Sequence, residues 1–219
     1  MKVLVACERS GVVRNAFLAR GHDAWSCDLE AADDGSNRHI RDDVRLHLGG
    51  GWDLLAVMHP PCTVLCNSGA KHLYLGMRKE NGPCPRRWAE LEEAAAFYRE
   101  LKAAPIRRKA LENPVMHGHA IRLTMRGPTQ FVQPWWFGDP FFKATGFELI
   151  NLPPLVPTNK LMPPAPGTDE HKEWSRVHRF SGWGRHGRVR AAERSRFFPG
   201  MADALAEQWG GDVEIRIAA

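Results

Sequence analysis

The first half of the chain alternates short apolar runs with a segment of helical period. Lys2 to Cys7 (KVLVAC) is an apolar run of strand length, of the kind carried by a parallel strand buried on both faces. Glu8 to Gly11 breaks it as a turn. From Val12 to Arg20 the apolar positions Val13, Phe17 and Leu18 fall at helical spacing, and Gly21 supplies the stop. His22 to Cys27 is a second strand, closed by Asp28. Asp33 to Asn37 is a polar turn. Three glycines at 49–51 then lead into a third strand, Trp52 to Val57.

The second half is punctuated differently. Pro85 opens the clearest helix, about residues 87–103, with Leu91, Ala94, Ala95, Tyr98 and Leu101 as its apolar stripe. Arg107 to Leu111 leads into Glu112-Asn113-Pro114, a strand that must stop at its proline. Residues 143–158 read as one strand followed by a Pro-rich connection, and Met162 to Gly167 as a surface loop. Pro199 to Trp209 is a second helix, with Met201, Ala204, Leu205 and Trp209 on one side. Val213 to Ile217 alternates and suits an edge strand. No internal repeat or domain boundary stands out.

This order predicts an α/β fold, Rossmann-like, with a mostly parallel sheet. With 219 residues and 43% hydrophobic content, the chain suffices for one well-cored domain. Most of the eight Trp and sixteen Pro fall after residue 80, so the two halves are built differently. The net charge of +5 permits a nucleic-acid partner without requiring one. Five cysteines, with no signal peptide and no long apolar run, point to a cytoplasmic protein with reduced thiols and no membrane contact.

Candidate chemistry sits at the strand ends. Neither Pro60 nor Pro61 has an N–H to extend the ladder, so the chain must leave the sheet there. Cys62 is then presented at the strand's carboxyl end, where open α/β sheets keep their ligands. It is either a nucleophile or a buried structural cysteine. Glu112 belongs to the same sheet edge, which places an acid beside a thiol. The strand–turn–helix–strand unit ending in Asp28 suits a cofactor carrying an adenosine. The turn lets the backbone approach, and the carboxylate takes ribose hydroxyls; the other reading is that Asp28 only caps the strand. Asp42 or Asp43 could meet the cofactor's base, or both are solvated charge.

Cys62, Cys66, His72 and Cys84, with His59 before them, have spacings that match no C-x-x-C pair arrangement, and no metal is expected. Residues 63–85 look like a long loop, a common form for a lid after a nucleophile. His171 to Arg196 holds eight Lys and Arg and three His, interleaved with Trp174, Phe180 and Trp183. That composition suits a phosphate backbone and splayed bases, or else a solvated basic face.

Taken together these pieces resemble the DNA (cytosine-5) methyltransferases, and more closely their short phage and prophage members. Pro60-Pro61-Cys62 and Glu112-Asn113-Pro114 carry the resemblance, in the family's order and at roughly its spacing. So does the tail from Arg194 to Ala204. The resemblance implies an S-adenosylmethionine-dependent methyltransferase fold and methylation of cytosine C5 in DNA through a covalent Cys62 adduct at C6. Glu112 would bind the base, with Asn113 in the same catalytic motif. Glu8, Ser10, Gly11, Asp28, Asp43 and Pro60 would meet S-adenosyl-L-methionine. The family's Phe-Gly-rich first motif is replaced here by Cys7-Glu8-Arg9-Ser10. Its Gln-x-Arg-x-Arg motif has no full match, leaving Arg188 and Arg190, with Arg179 and Arg185, as nucleic-acid contacts. Typical members are longer, so a small target-recognition region within 126–190 is expected, inside a single 1–219 domain. RNA or a free pyrimidine nucleotide is an alternative substrate. A non-catalytic nucleic-acid-binding protein is the alternative from another class.

Overall fold

The structure, a computed structural model, describes residues 1–176 and 197–211. Strands β1 (Lys2–Ala6), β2 (Asp23–Asp28), β3 (His39–Arg41), β4 (Leu54–Val57), β5 (Arg108–Asn113), β6 (Gln130–Val132) and β7 (Thr145–Ile150) form one sheet in the order β3-β2-β1-β4-β5-β7-β6. β7 is antiparallel to both neighbours, and every other pairing is parallel. This is the Rossmann-like, mostly parallel α/β sheet expected. The expected strand Val213 to Ile217 and the arginines 179, 185, 188 and 190 lie outside the described residues.

Both faces of the sheet are covered, which is why its central strands are apolar at every position. Along β1, Val3 and Val5 join one core while Leu4 and Ala6 join the other. β4 repeats the pattern, with Leu54 and Ala56 on the first face and Leu55 and Val57 on the second. The first core is closed by α1 (Val12–Ala19) and α6 (Pro199–Trp209). The second is closed by α3 (Pro85–Ala103) and α4 (Gly118–Thr124). The buried residues of α3 are the five of its expected stripe.

One expectation needs correction. Residues 63–85 are not a loose loop. They form α2 (Asn67–Ala70) and three single 3-10 turns, with Leu65 and Leu73 buried in the second core. Gly69 passes so close to the Thr63 carbonyl that any β-carbon would collide with it. Apolar positions spaced around glycines carry no periodic signal, so the sequence reads as loop. Residues 126–190 begin with β6 and β7, the latter lying within the strand expected over 143–158. A helix α5 (Asp169–Trp174) follows, capped by the Thr168 hydroxyl.

Trp209 ends α6 with no exposed surface. Its ring meets Phe147 edge-on at 5.7 Å and its Nε1 donates to the Pro153 carbonyl. Truncating a buried aromatic side chain costs about 3–5 kcal/mol. Trp209→Ala is expected to lower unfolding stability by that amount in a urea titration; a loss under about 1 kcal/mol would mean α6 is not part of the core.

Candidate active site

β1 and β4 are neighbours, yet the chain runs from β1 outward to β2 and β3 before returning to β4. The helices on either side of this switch point diverge and leave a crevice at the strands' carboxyl ends. A cleft of about 740 Å³ opens there. Cys7 after β1, Asp28 at the end of β2, and His59 and Pro61 after β4 line one side, with Asp42, Asp43 and Val44 beyond β3. Phe97, on α3, forms part of the opposite wall.

The turn after β1 is organised by Glu8 and not left open. Glu8 is fully buried, and its carboxylate accepts from the backbone N–H groups of Val13 (2.6 Å) and Arg14 (3.1 Å). It caps the start of α1 from within, satisfying two amides that the helix leaves unpaired. The structure therefore gives Glu8 a structural partner set in place of an open face toward a cofactor. Burial pushes its carboxyl up to about 7 against the pull of those two amides. Ser10 sits against it, with Oγ 3.4 Å from the Glu8 carboxylate. Gly11 has φ 71, and a β-carbon there would strike the Arg14 guanidinium. Arg14 is itself buried, bonded to Ser26 Oγ and paired with Asp34. Cys7 also adopts a left-handed φ of 55, a strained geometry for a residue with a β-carbon.

Asp42 and Asp43, beyond β3, are ionised. Hydrogen bonds from His47 and the Asp43 amide hold Asp42 below the usual carboxylate range, and Arg45 does the same for Asp43. Asp28 accepts from the Glu30 amide with one oxygen. Of the proline pair, Pro61 lines the cleft while Pro60 is buried.

Cys62 and Glu112 come together. β4 pairs with β5 as far as Val57 and Leu111, so the two strands deliver their next residues side by side. Glu112 is buried, and its carboxyl is pushed up to about 8 by loss of solvent, tempered by the Lys143 cation. The Cys62 thiol is half-buried and pushed up to about 12, first by burial and then by the charge of Glu112. The two groups therefore feel each other electrostatically. Asn113 has no exposed surface, yet neither of its side-chain polar atoms has a partner among the described residues. His59 Nε2 is shut from solvent and likewise has no partner among the described residues. Burial holds the His59 ring neutral, its value lowered to about 3. Unpaired buried polar atoms cost about 1–3 kcal/mol each, so three of them at adjoining strand ends mark a place completed by a ligand or by water.

The segment after Cys62 is tied to the segment after Glu112. Asn67 N–H donates to the Val115 carbonyl (2.8 Å), and His117 N–H donates to that of Leu65 (3.2 Å). His117 Nε2 is also 2.7 Å from the Val64 carbonyl. All five cysteines are free thiols. Lys143, whose charge acts on Cys62, Glu112 and His59 alike, went unseen in the sequence, where a lone lysine before a strand carries no signal. Phe97 and His59 were missed as cleft residues for a similar reason; only Phe97's place off the buried stripe of α3 hints at it.

No protein-family model matches the chain, and no curated protein matches it. Among solved structures it is similar to an E. coli protein described provisionally as a DNA modification methyltransferase encoded within a prophage. The TM-score is 0.48 at 15% identity, over 74% of this chain and 52% of that one. The chain thus spans about half the length of that protein. No described helix is long and apolar enough to cross a membrane.

Both buried carboxyls bind a proton more readily in the folded protein than at their ordinary value of 4.5. Their contribution to stability is complete below pH 4.5 and is lost as pH rises through about 7 for Glu8 and about 8 for Glu112. Glu112→Gln, which cannot ionise, is expected to gain unfolding midpoint over wild type at pH 9 and to differ little at pH 5. An equal gap at both values would show that Glu112 is ionised throughout.

Proposed function

We propose that this protein transfers a methyl group from S-adenosylmethionine to C5 of cytosine in DNA, with Cys62 as the nucleophile. One observation carries the reading: a thiol and a protonated carboxyl lie at the ends of two paired strands, beside the cleft at the sheet's switch point. The cleft fits the cofactor by the chemistry of its walls. Asp28 offers a carboxylate to ribose hydroxyls, Asp42 and Asp43 offer acceptors to an adenine amine, and Val44 and Phe97 offer apolar faces to its ring. When bound, S-adenosylmethionine supplies an electrophilic methyl on a sulfonium. Ser10, Gly11 and Pro60 would shape the turns that bring the backbone to it.

The protein's residues supply the rest. Cytosine C5 is too weak a nucleophile to take a methyl unaided. The Cys62 thiol gives up its proton to water, Sγ adds as thiolate to C6, and the C5–C6 electron pair becomes available at C5. Glu112 donates its proton at N3 and so absorbs the charge that this addition creates. Its value near 8 leaves it protonated at neutral pH, in the state this role needs. The Lys143 cation favours the thiolate and offsets the burial that opposes it. Asn113, next to Glu112, has a donor and an acceptor without a partner among the described residues, available to position the base edge. After methylation a water removes the C5 proton, the C6–S bond breaks, and Glu112 recovers its proton. A base in a duplex must first leave the stack. Arg179, Arg185, Arg188 and Arg190, in the basic stretch of the 126–190 recognition region, would contact the phosphates.

The test is transfer of labelled methyl to unmodified DNA. Wild type should label cytosine C5, and Cys62→Ala should abolish the label while still binding cofactor by calorimetry. Label persisting in Cys62→Ala would remove the covalent route, and label on RNA or free nucleotide alone would move the substrate. Asp28→Ala should weaken cofactor binding about tenfold, the loss of one charge-assisted hydrogen bond; unchanged affinity would put the ribose elsewhere. Transfer by wild type should also fall as pH rises through about 8, where Glu112 loses its proton. A rate still flat well above that value would deny Glu112 the role of acid.

A further inference from the structure

A second cleft, of about 580 Å³, lies between residues 70–79 and the start of α4. Lys71, Tyr74 and Lys79 come from the first wall, and Gly118, His119 and Arg122 from the second. Among the described residues no carboxylate lines it. Lys71, Lys79 and Arg122 are exposed and make no salt bridge within the described residues. Elsewhere on the described surface many arginines have a carboxylate partner, as with Arg9, Arg38 and Arg87.

The interior of this cleft is ordered. Arg122 Nη2 is 2.6 Å from His119 Nδ1, and His119 Nε2 is 3.3 Å from the Tyr74 hydroxyl. Trp88 packs edge-on against the His119 ring at 4.9 Å. The guanidinium is thus aimed by a chain of side chains anchored on α3. Burial and the charges of Arg122, His117 and Lys79 hold His119 below its ordinary value. The ring therefore stays neutral and accepts from Arg122 while the field around it is positive. Three cations held close without a counter-charge repel one another, and an anion between them relieves that.

Position decides which anion. Lys71 lies a short way past Cys62 and His119 a short way past Glu112, and the two segments are hydrogen-bonded to each other. Each wall of the cleft is thus tethered to one of the two reacting side chains. A strand that presents a base to Cys62 must carry its neighbouring phosphates past this point. We propose that Lys71, Lys79 and Arg122 form a cradle for a backbone phosphate flanking the target nucleotide. This rests on the reading of a polymeric nucleic-acid substrate and adds to it a site distinct from the basic stretch after residue 176.

The experiment is DNA binding by the complete protein, followed by fluorescence anisotropy across a range of salt. The comparison is wild type against Lys71→Gln/Lys79→Gln/Arg122→Gln. Removing one phosphate contact should lower the slope of log affinity against log salt by roughly 0.9. A drop of at least that size is expected, with cofactor affinity and thermal midpoint unchanged. Returning a lysine in place of Arg122 alone should recover part of the slope. Arg20→Gln, just past α1 at the other face of the sheet, should leave it as in wild type. An unchanged slope in the triple variant, with methyl transfer intact in wild type, would overturn the cradle and leave the proposed function standing. Wild-type binding with no salt dependence would overturn the cradle together with the polymer reading.

Discussion

Two adjacent parallel strands that both run out into proline set the geometry of this molecule. β4 ends at Val57 and meets Pro60 and Pro61; β5 ends at Asn113 and meets Pro114. Neither strand can continue as ladder, because proline has no amide to give. In-register pairing up to Val57 and Leu111 then holds the residues after one strand beside those after the other. β7 seals the far side of Glu112 through its pairing with Phe147. The acid is left without water, and its carboxyl stays protonated near neutral pH. The strand ends thus settle both which groups meet and which proton they hold.

The cleft uses the same residue types in two opposite ways. At its rim, Asp42 is exposed and Asp43 half-buried; His47 and Arg45 hydrogen-bond to them, and both are ionised. Beside it, at the strand ends, Glu112 and Cys62 are desolvated and neutral at rest. A rim of charge suits sugar hydroxyls and amines, which hydrogen-bond to carboxylates. A neutral acid suits a ring nitrogen that must receive a proton. Burial separates the two behaviours. Lys143 lies close enough to moderate both Cys62 and Glu112, so it trims rather than removes the effect of burial.

Much of this was legible in the sequence, for a physical reason. Strands buried on both faces are apolar at every position, so β1 and β4 announced themselves, as did α3 through its stripe of Leu91, Ala94, Ala95, Tyr98 and Leu101. Proline after a strand located the turn that presents Cys62. The features that escaped were set by long-range packing. Glu8 read as a cofactor residue because its turn follows β1, yet its carboxylate closes on the amides of α1. Residues 63–85 read as loop because Leu65 and Leu73 find their core partners in α3 and α4, not among sequence neighbours. His59 and Lys143 matter only through the groups that folding brings to them.

The central claim is that Cys62 and Glu112 act on one pyrimidine ring. It is tested most directly with DNA carrying fluorine at cytosine C5. Fluorine cannot leave as a cation, so the ring cannot shed the cysteine once C5 is methylated. Incubated with S-adenosylmethionine, wild type should give a protein–DNA species that survives denaturing electrophoresis, with its cross-linked peptide containing Cys62. Cofactor binding without any such species, or a cross-link at another residue, would contradict the account.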